Sequence, residues 1–167
     1  KKVIVFEPNM NGPAHTEINA GLLKIIEKLS SGKSLEFISD EVHLNSLRKK
    51  IDLAKWNINK IKVIDYKPKN FLMMELMFLY RSTKILVFSK DIDSIYFLGI
   101  LPISLNILSI INIFLQRKII IALHGQMEAF LDNSKIGKTK YYYYLCQYTF
   151  KNRDNIRYIV FGESIAK

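Results

Sequence analysis

A histidine and a glycine follow directly on a run of apolar residues, Ile119–Leu123. The imidazole of His124 can donate a hydrogen bond to a sugar hydroxyl or a phosphate, and it can carry a proton near neutral pH. Gly125 permits a sharp turn, and Glu128 lies in the same segment. We therefore predict that His124 is a catalytic residue and that Gly125 and Glu128 bind substrate. The alternative for His124 is a structural histidine bonded to a backbone carbonyl.

A second group of candidates lies in the segment 7–17, which follows the first apolar run of the chain, Val3–Phe6. Gly12 allows a ligand to approach the backbone closely. A helix that starts here would offer unbonded N–H groups and the positive end of its dipole to a phosphate. Gly12, Pro13 and His15 are accordingly predicted to bind substrate. A plain tight turn at Gly12 and Pro13, and a solvated His15, are the alternatives.

Two nucleotide-binding patterns do not occur in the sequence. The segment 7–17 lacks the spacing G-x-G-x-x-G, and Ser31-Gly32-Lys33-Ser34 lacks the upstream glycine of a phosphate loop. With 3 histidines and 1 cysteine, the chain also has little material for a metal centre. We expect neither a metal nor a cofactor.

Two further polar residues are assigned roles from their positions relative to the predicted strands and helices. Ser89 comes directly after Ile85–Phe88, which we predict to be a strand, and it is the remaining predicted substrate-binding residue. His43 falls on a predicted helix, away from the strand ends, and is assigned a structural or surface role.

Short β-branched runs alternate with segments of helical spacing along the whole chain. Strands are predicted at 3–6, 35–39, 61–65, 85–88, 119–123 and 156–161, and helices at about 18–29, 44–54, 70–82, 102–115 and 138–151. Asp40 is the predicted N-cap of the second helix. The apolar stripe predicted for the first helix consists of Ile18, Leu22, Ile25, Ile26 and Leu29. Most of the strands are apolar on both faces, which is typical of parallel strands covered on each side. We predict an α/β fold for 1–167 as a single domain: an open, doubly wound, Rossmann-like and mostly parallel sheet of about six strands. Ligands bind such sheets beyond the carboxyl ends of the strands, and this rule selects the candidates above.

The net charge of +10 and the pI of about 9.6 favour anionic partners. Basic and tyrosine residues are interleaved in the predicted helix 138–151, which fits an anionic membrane surface; the residues are Lys138, Lys140, Tyr141, Tyr144 and Tyr148. Core tyrosines beside ordinary solvated lysines are the alternative. Nucleic acid is not an expected partner, because no nucleic-acid-binding motif accompanies the charge.

The uncharged stretch Ser94–Gln116 is long enough to cross a membrane. Pro102, Asn106 and Asn112 argue against that interpretation, because unsatisfied polar groups are costly in hydrocarbon. We predict a buried crossover helix instead. The first residues do not form a secretory signal peptide, so we expect a cytoplasmic location. Peripheral association with the inner face of the membrane is a further expectation.

The pattern resembles the N-terminal half of a GT-B-type glycosyltransferase of the group that assembles capsules, lipopolysaccharides and other glycans. The resemblance is carried by the first strand with Asn11-Gly12-Pro13-Ala14-His15-Thr16-Glu17, by Leu123-His124-Gly125, and by Ser164 after the last strand. It implies that the chain binds a glycan or lipid-linked acceptor, that the Gly12 loop abuts the diphosphate of a nucleotide-sugar, and that His124 contacts the transferred sugar.

The same resemblance implies a partner domain. In that family the donor sits mainly on a C-terminal domain, which carries a glutamate motif and a basic phosphate clamp, so the present chain alone is expected to lack transfer activity. A retaining mechanism without a metal is likewise implied by the resemblance only. Two alternatives from other classes are a stand-alone α/β binding or signalling module and a basic nucleic-acid-binding domain.

Overall fold

The computed structural model describes residues 1–7, 15–61, 71–99, 102–123 and 155–160. Strands and helices alternate along this part of the chain. Their bounds are β1 Lys2–Phe6, α1 Thr16–Leu29, β2 Ser34–Asp40, α2 Glu41–Arg48, β3 Trp56–Ile61, α3 Phe71–Phe88, β4 Ile92–Phe97, α4 Pro102–Leu115, β5 Ile119–Leu123 and β6 Ile156–Val160.

The six strands form one open sheet in the order β3-β2-β1-β4-β5-β6, and every pair of neighbours is parallel. Val5 is paired with Phe37 on one side and with Tyr96 on the other. The strand order reverses direction between β1 and β4, and this switch point is where open α/β sheets bind ligands. The predicted fold class is confirmed.

Side chains that alternate along β1 divide the interior into two cores. Val3 and Val5 pack with α1 and α2, whereas Ile4 and Phe6 pack with α3 and α4. All four of these side chains have no exposed surface. Helices therefore cover both faces of the sheet, and each strand of the centre needs apolar residues at consecutive positions.

The strand predicted at 85–88 is wrong, and so is the start of the strand predicted at 61–65. Residues 85–88 are the last turn of α3, where Ile85 and Leu86 are buried in helical register with Phe78. A short apolar run does not distinguish a strand from a buried helix segment. The predicted strand 61–65 is displaced, because β3 spans Trp56–Ile61; residues 62–65 lie outside the described part. The strand that was missed, β4, carries the polar residues Asp93 and Ser94 directly after its first residue, Ile92.

The uncharged stretch Ser94–Gln116 is divided between β4 and α4. In the described part of the chain, no helix has the length and hydropathy needed to cross a membrane. Helix α4 begins at Pro102 and ends at Leu115, as predicted. Asn112, in the last turn of α4, bonds the backbone of Arg117, which follows the helix. Its Nδ2 donates to the Arg117 carbonyl and its Oδ1 accepts from the Arg117 N–H, both at 2.9 Å, so this asparagine terminates the helix.

Two other sequence predictions concern the helices α1 and α2. Asp40 is the N-cap of α2 as predicted: its Oδ1 accepts from the backbone N–H groups of Val42 and His43 at 2.9 and 3.0 Å. The predicted apolar stripe of α1 is rotated, because the helix buries Asn19 and Leu23 while Leu29 is 73% exposed.

A buried carboxyl group joins α3 to the start of α4. Glu75 is 2% exposed, and its side chain accepts from the backbone N–H of Ile103 at 3.1 Å and of Ser104 at 2.9 Å. The Ser104 hydroxyl contacts a carboxyl oxygen of Glu75 at 2.5 Å. Since the first N–H groups of a helix have no partner within it, Glu75 caps α4 from a neighbouring helix.

We expect Glu75→Ala to lower the free energy of unfolding by about 2–4 kcal/mol, because the N–H groups of Ile103 and Ser104 lose their acceptor; the Ser104 hydroxyl keeps the backbone carbonyl of residue 75 as a partner. Glu75→Gln retains one acceptor oxygen and should lose about half as much. Urea unfolding followed by circular dichroism measures both. Lys84→Ala, an exposed change on the same helix, is the control. Equal stabilities of Glu75→Ala and Lys84→Ala would contradict the capping role.

Candidate functional site

The carboxyl ends of the parallel strands lie at one edge of the sheet, which we call the carboxyl edge. Pairing continues by one residue past β1: the Glu7 N–H donates to the Ile38 carbonyl, and the Leu98 N–H donates to the Phe6 carbonyl, both at 2.9 Å. Glu7 and Leu98 therefore mark the two sides of the switch point between β1 and β4. Ligands of open α/β sheets bind at this place.

Most of the predicted site residues lie outside the described part of the chain, namely Gly12, Pro13, His124, Gly125 and Glu128. The strands that precede them are described. β1 precedes the Gly12 segment and β5 precedes His124, and only β4 separates these two strands. Since neighbouring strands are about 4.8 Å apart, the strand ends lie roughly 10 Å from each other at the carboxyl edge.

Ser89 does not follow a strand. It lies between α3 and β4, and its carbonyl accepts from the Arg117 guanidinium at 3.3 Å. Because α3 returns the chain to the start of β4, Ser89 is at the opposite, amino edge of the sheet. The strand-end argument for Ser89 as a substrate-binding residue is therefore wrong.

The residues predicted to face a membrane surface, Lys138, Lys140, Tyr141, Tyr144 and Tyr148, also lie outside the described part of the chain. His15 is described: it is half-buried and directly precedes α1. It gives that helix no side-chain capping hydrogen bond.

Buried polar side chains gather at the carboxyl edge beside β1 and β2. We call this group the carboxyl-edge cluster; each member is at most 8% exposed, and the members are Glu7, Thr16, Asn19, Ser39, Asp40 and His43. Glu7 follows β1, and Ser39 and Asp40 end β2. The other members come from the first turns of α1 and α2, because each helix starts where its strand stops.

Asn19 and His43 link the two helices inside this cluster. The Asn19 side-chain nitrogen lies 3.1 Å from His43 Nε2. An amide nitrogen only donates, so Nε2 accepts and the ring proton is on Nδ1. Burial lowers the pKa of His43, the nearby Asp40 opposes this effect, and His15 adds to it. His43 is therefore a neutral hydrogen-bonding group at neutral pH.

Arg81 brings a positive charge to the cluster from the other face of the sheet. It lies on α3 and is partly buried, which lowers its pKa, while attraction to Asp40 and Glu7 acts in the opposite direction. A guanidinium remains charged at any physiological pH. Carboxyl groups from two neighbouring strand ends thus share one cation.

Three buried oxygens of the cluster have no hydrogen-bond partner among the described residues: Thr16 Oγ1, Asn19 Oδ1 and Ser39 Oγ. Buried polar atoms are almost always satisfied, and each unsatisfied one costs about 1–3 kcal/mol. Hydroxyl and amide oxygens both accept from sugar hydroxyls or ordered water, and the two hydroxyls can also donate to a phosphate. The cluster therefore has the hydrogen-bonding capacity of a polar binding site.

Sequence reasoning did not identify Asn19, Ser39, His43 or Arg81 as members of a site. His43 is structural, as predicted, but its placement away from the strand ends is wrong. The Asp40 N-cap was the available signal, because a cap directly after a strand places the next helical residues at the strand end. Asn19 and Arg81 carry no such signal in the sequence.

A groove of about 670 Å³ lies elsewhere, at the turn between α2 and β3. Its lining includes Arg48, Lys49 and Lys50. Lys50 pairs with Glu17 at 2.6 Å, and Arg48 donates to Asn45 at 3.2 Å. The turn leads into β3, so this groove is at the amino edge and is separate from the carboxyl-edge cluster.

Comparisons of the chain with models of protein families, with curated proteins and with solved structures find no match.

The lowered pKa of His43 predicts a pH dependence of stability. The unfolded chain binds a proton on this ring near pH 6.5, whereas the folded chain binds it only at lower pH. The contribution of neutral His43 to the free energy of unfolding is therefore fully present above pH 6.5 and is lost as the pH is lowered toward 5. His43→Gln keeps an acceptor for Asn19 without a titrating ring, so its stability should fall less over the same range. Chemical unfolding at pH 7, 6 and 5 measures the difference.

Val42→Gln is the matched control for this experiment, since Val42 is 67% exposed on the same helix. It should keep the wild-type pH dependence. If His43→Gln and the wild-type protein lose the same stability between pH 7 and pH 5, the burial of a neutral His43 is refuted.

Proposed function

We propose that this chain is the acceptor-binding domain of a GT-B-type glycosyltransferase, an enzyme that moves a sugar from a nucleotide-sugar to a glycan or lipid-linked acceptor. The observation that carries the proposal is the carboxyl edge. There the strand order places the ends of β1 and β5 on the two sides of the switch point, with only β4 between them, and the carboxyl-edge cluster lies beside β1.

The chemistry of the cluster suits a ligand with many hydroxyl groups. Sugar hydroxyls both donate and accept, and the cluster supplies carboxyl, amide, imidazole and hydroxyl groups. Thr16 and Asn19 each hold a buried oxygen without a partner among the described residues. The start of α1, to which the His15 side chain gives no capping hydrogen bond, adds N–H groups that favour a phosphate. An acceptor sugar and the diphosphate of a donor are the groups that such a surface accommodates together.

In this proposal the protein acts mainly by positioning. The cluster orients the acceptor hydroxyl, and His124 donates a hydrogen bond to the transferred sugar or carries a proton from one of the reacting groups. Holding both reactants at the correct distance and angle contributes much of the rate acceleration in such reactions. Polar groups fixed in place before the reaction stabilise the charge that develops during transfer. The proposal requires no resident metal or cofactor.

We expect nucleotide-sugars and acceptor sugars to bind at the carboxyl edge. In ¹H–¹⁵N spectra of the chain titrated with UDP-glucose, GDP-mannose or octyl glucoside, the amide signals of Glu7, Thr16 and Leu98 should shift. Signals from the amino edge, such as those of Lys33 and Lys118, should stay in place. The reason is that only the carboxyl ends of the strands open onto the crevice.

Thr16→Val removes the unpartnered hydroxyl without changing the shape of the side chain, and we expect it to weaken binding of the ligand that shifts these signals about tenfold, or ~1.4 kcal/mol. Ser31→Ala, an exposed hydroxyl after the far end of α1, is the control and should bind normally. The absence of shifts at millimolar concentrations of all three probes, or shifts confined to the amino edge, would refute the proposal.

A further inference from the structure

The outward surface of α3 and α4 is apolar over most of its length. We call it the α3/α4 outer face; its exposed apolar residues are Met73, Leu76, Tyr80, Val87, Phe88, Ile110, Ile113 and Phe114. Phe88 is 75% exposed and Phe114 is 83% exposed. Isolated apolar residues on a surface are ordinary, but contiguous ones mark a surface that meets a partner.

The two helices lie side by side, so their exposed residues form one patch. Both pack on the same face of the sheet, through Phe78 and Leu86 of α3 and through Leu105 of α4. At their first turns Glu75 bonds the start of α4, and beyond their last turns Arg117 bonds the carbonyl of Ser89. Contacts at both ends keep the helices adjacent along their length.

The described residues of this face include no exposed acid. The charged residues of α3 are Glu75, Arg81 and Lys84, and Glu75 is buried; α4 has no charged residue. Three basic residues follow the ends of the helices, namely Lys90, Arg117 and Lys118. Two acids lie in the same segments: Asp91 is exposed, and the half-buried Asp93 is paired with Lys33 and also interacts with Lys118. The patch therefore combines exposed aromatic and aliphatic side chains with a basic border.

These observations distinguish between the partners that an apolar face can have. A second copy of the same face would bring two basic borders together, in a chain whose net charge is already +10. An anionic lipid surface complements both parts of the face, since its headgroups attract lysine and arginine and its acyl region accepts phenylalanine and isoleucine. Both helices pack on the sheet through their inner sides, so their outer face would meet a bilayer with the helices parallel to its surface.

We propose that the α3/α4 outer face docks this domain onto an anionic lipid bilayer, with Phe88 and Phe114 inserted at the boundary between headgroups and acyl chains. In this proposal Lys90 and Lys118, which follow the ends of the two helices, contact the lipid phosphates. The inference rests neither on the tyrosine-rich segment 138–151 nor on the proposed transferase activity.

The first test is sedimentation of the full chain with large vesicles of phosphatidylcholine alone or of phosphatidylcholine with 30% phosphatidylglycerol. We expect binding to the anionic vesicles that weakens at high salt, and a loss of at least tenfold in affinity for Phe88→Ser/Phe114→Ser. The matched control is Leu29→Ser/Val42→Ser, which removes two residues that are 73% and 67% exposed on the opposite face of the domain. This control should bind as the wild-type protein does.

A second measurement locates the contact in a variant that keeps an aromatic residue at the site. Phe114→Trp should show fluorescence quenching by brominated phosphatidylcholine in anionic vesicles, whereas Leu29→Trp should show none. The native Trp56 is only 5% exposed and contributes a constant background.

Three results would overturn the proposal. The first is equal vesicle binding by Phe88→Ser/Phe114→Ser and the wild-type protein, and the second is an absence of quenching in Phe114→Trp. The third is a wild-type protein that does not bind vesicles but forms a dimer, which the double serine variant converts to a monomer. The last result would assign the face to a second copy. None of these results bears on sugar binding at the carboxyl edge, which the amide shifts measure separately.

Discussion

The structure depends on one constraint: a central parallel strand has to be covered on both of its faces and paired on both of its sides. β1 meets this requirement with four consecutive apolar residues that have no exposed surface, Val3 to Phe6. It is paired with β2 on one side and β4 on the other. Each parallel connection needs a crossover, and the helices of these crossovers supply the cover. The same crossovers return every strand to one direction, so all strand ends collect at one edge.

This arrangement explains why polar groups are buried at the carboxyl edge. The sheet interior is apolar, and hydrogen-bonding side chains become concentrated where strands stop and helices begin. Asp40 serves the backbone there by capping α2, while Asn19 and His43 bond each other. Arg81 approaches from the other face of the sheet and balances negative charge from Asp40 and Glu7. Stability and binding capacity are therefore provided by the same residues, and a ligand that pairs with the remaining oxygens would add to both.

The two outer surfaces of the domain differ in kind. The side of α1, α2 and β3 carries ion pairs at 2.6 Å, such as Lys50 with Glu17 and Lys55 with Glu27. Exposed pairs of this sort contribute little stability, about 0–1 kcal/mol each, but they keep a surface hydrated. Both sides expose aliphatic residues, but the exposed aromatic residues of the described part, Tyr80, Phe88 and Phe114, lie on the side of α3 and α4. Helices that cover a sheet on both faces can have charged residues on both outer surfaces. We therefore propose that the exposed aromatic residues of α3 and α4 serve an external contact.

The sequence by itself determined the fold class, because apolar runs that alternate with helical spacing can be buried only in a parallel sheet between two helical layers. It also determined the N-cap at Asp40 and the bounds of α4, since capping oxygens and prolines act locally. It did not determine the secondary structure of residues 85–88, because a four-residue apolar run is compatible with a buried strand or a buried helix turn. Only packing against Phe78 and β4 decides between the two. The carboxyl-edge cluster was likewise decided by the tertiary structure. Asn19, His43 and Arg81 come from three separate helices, and no local pattern records that the strand order places these helices around one sheet edge.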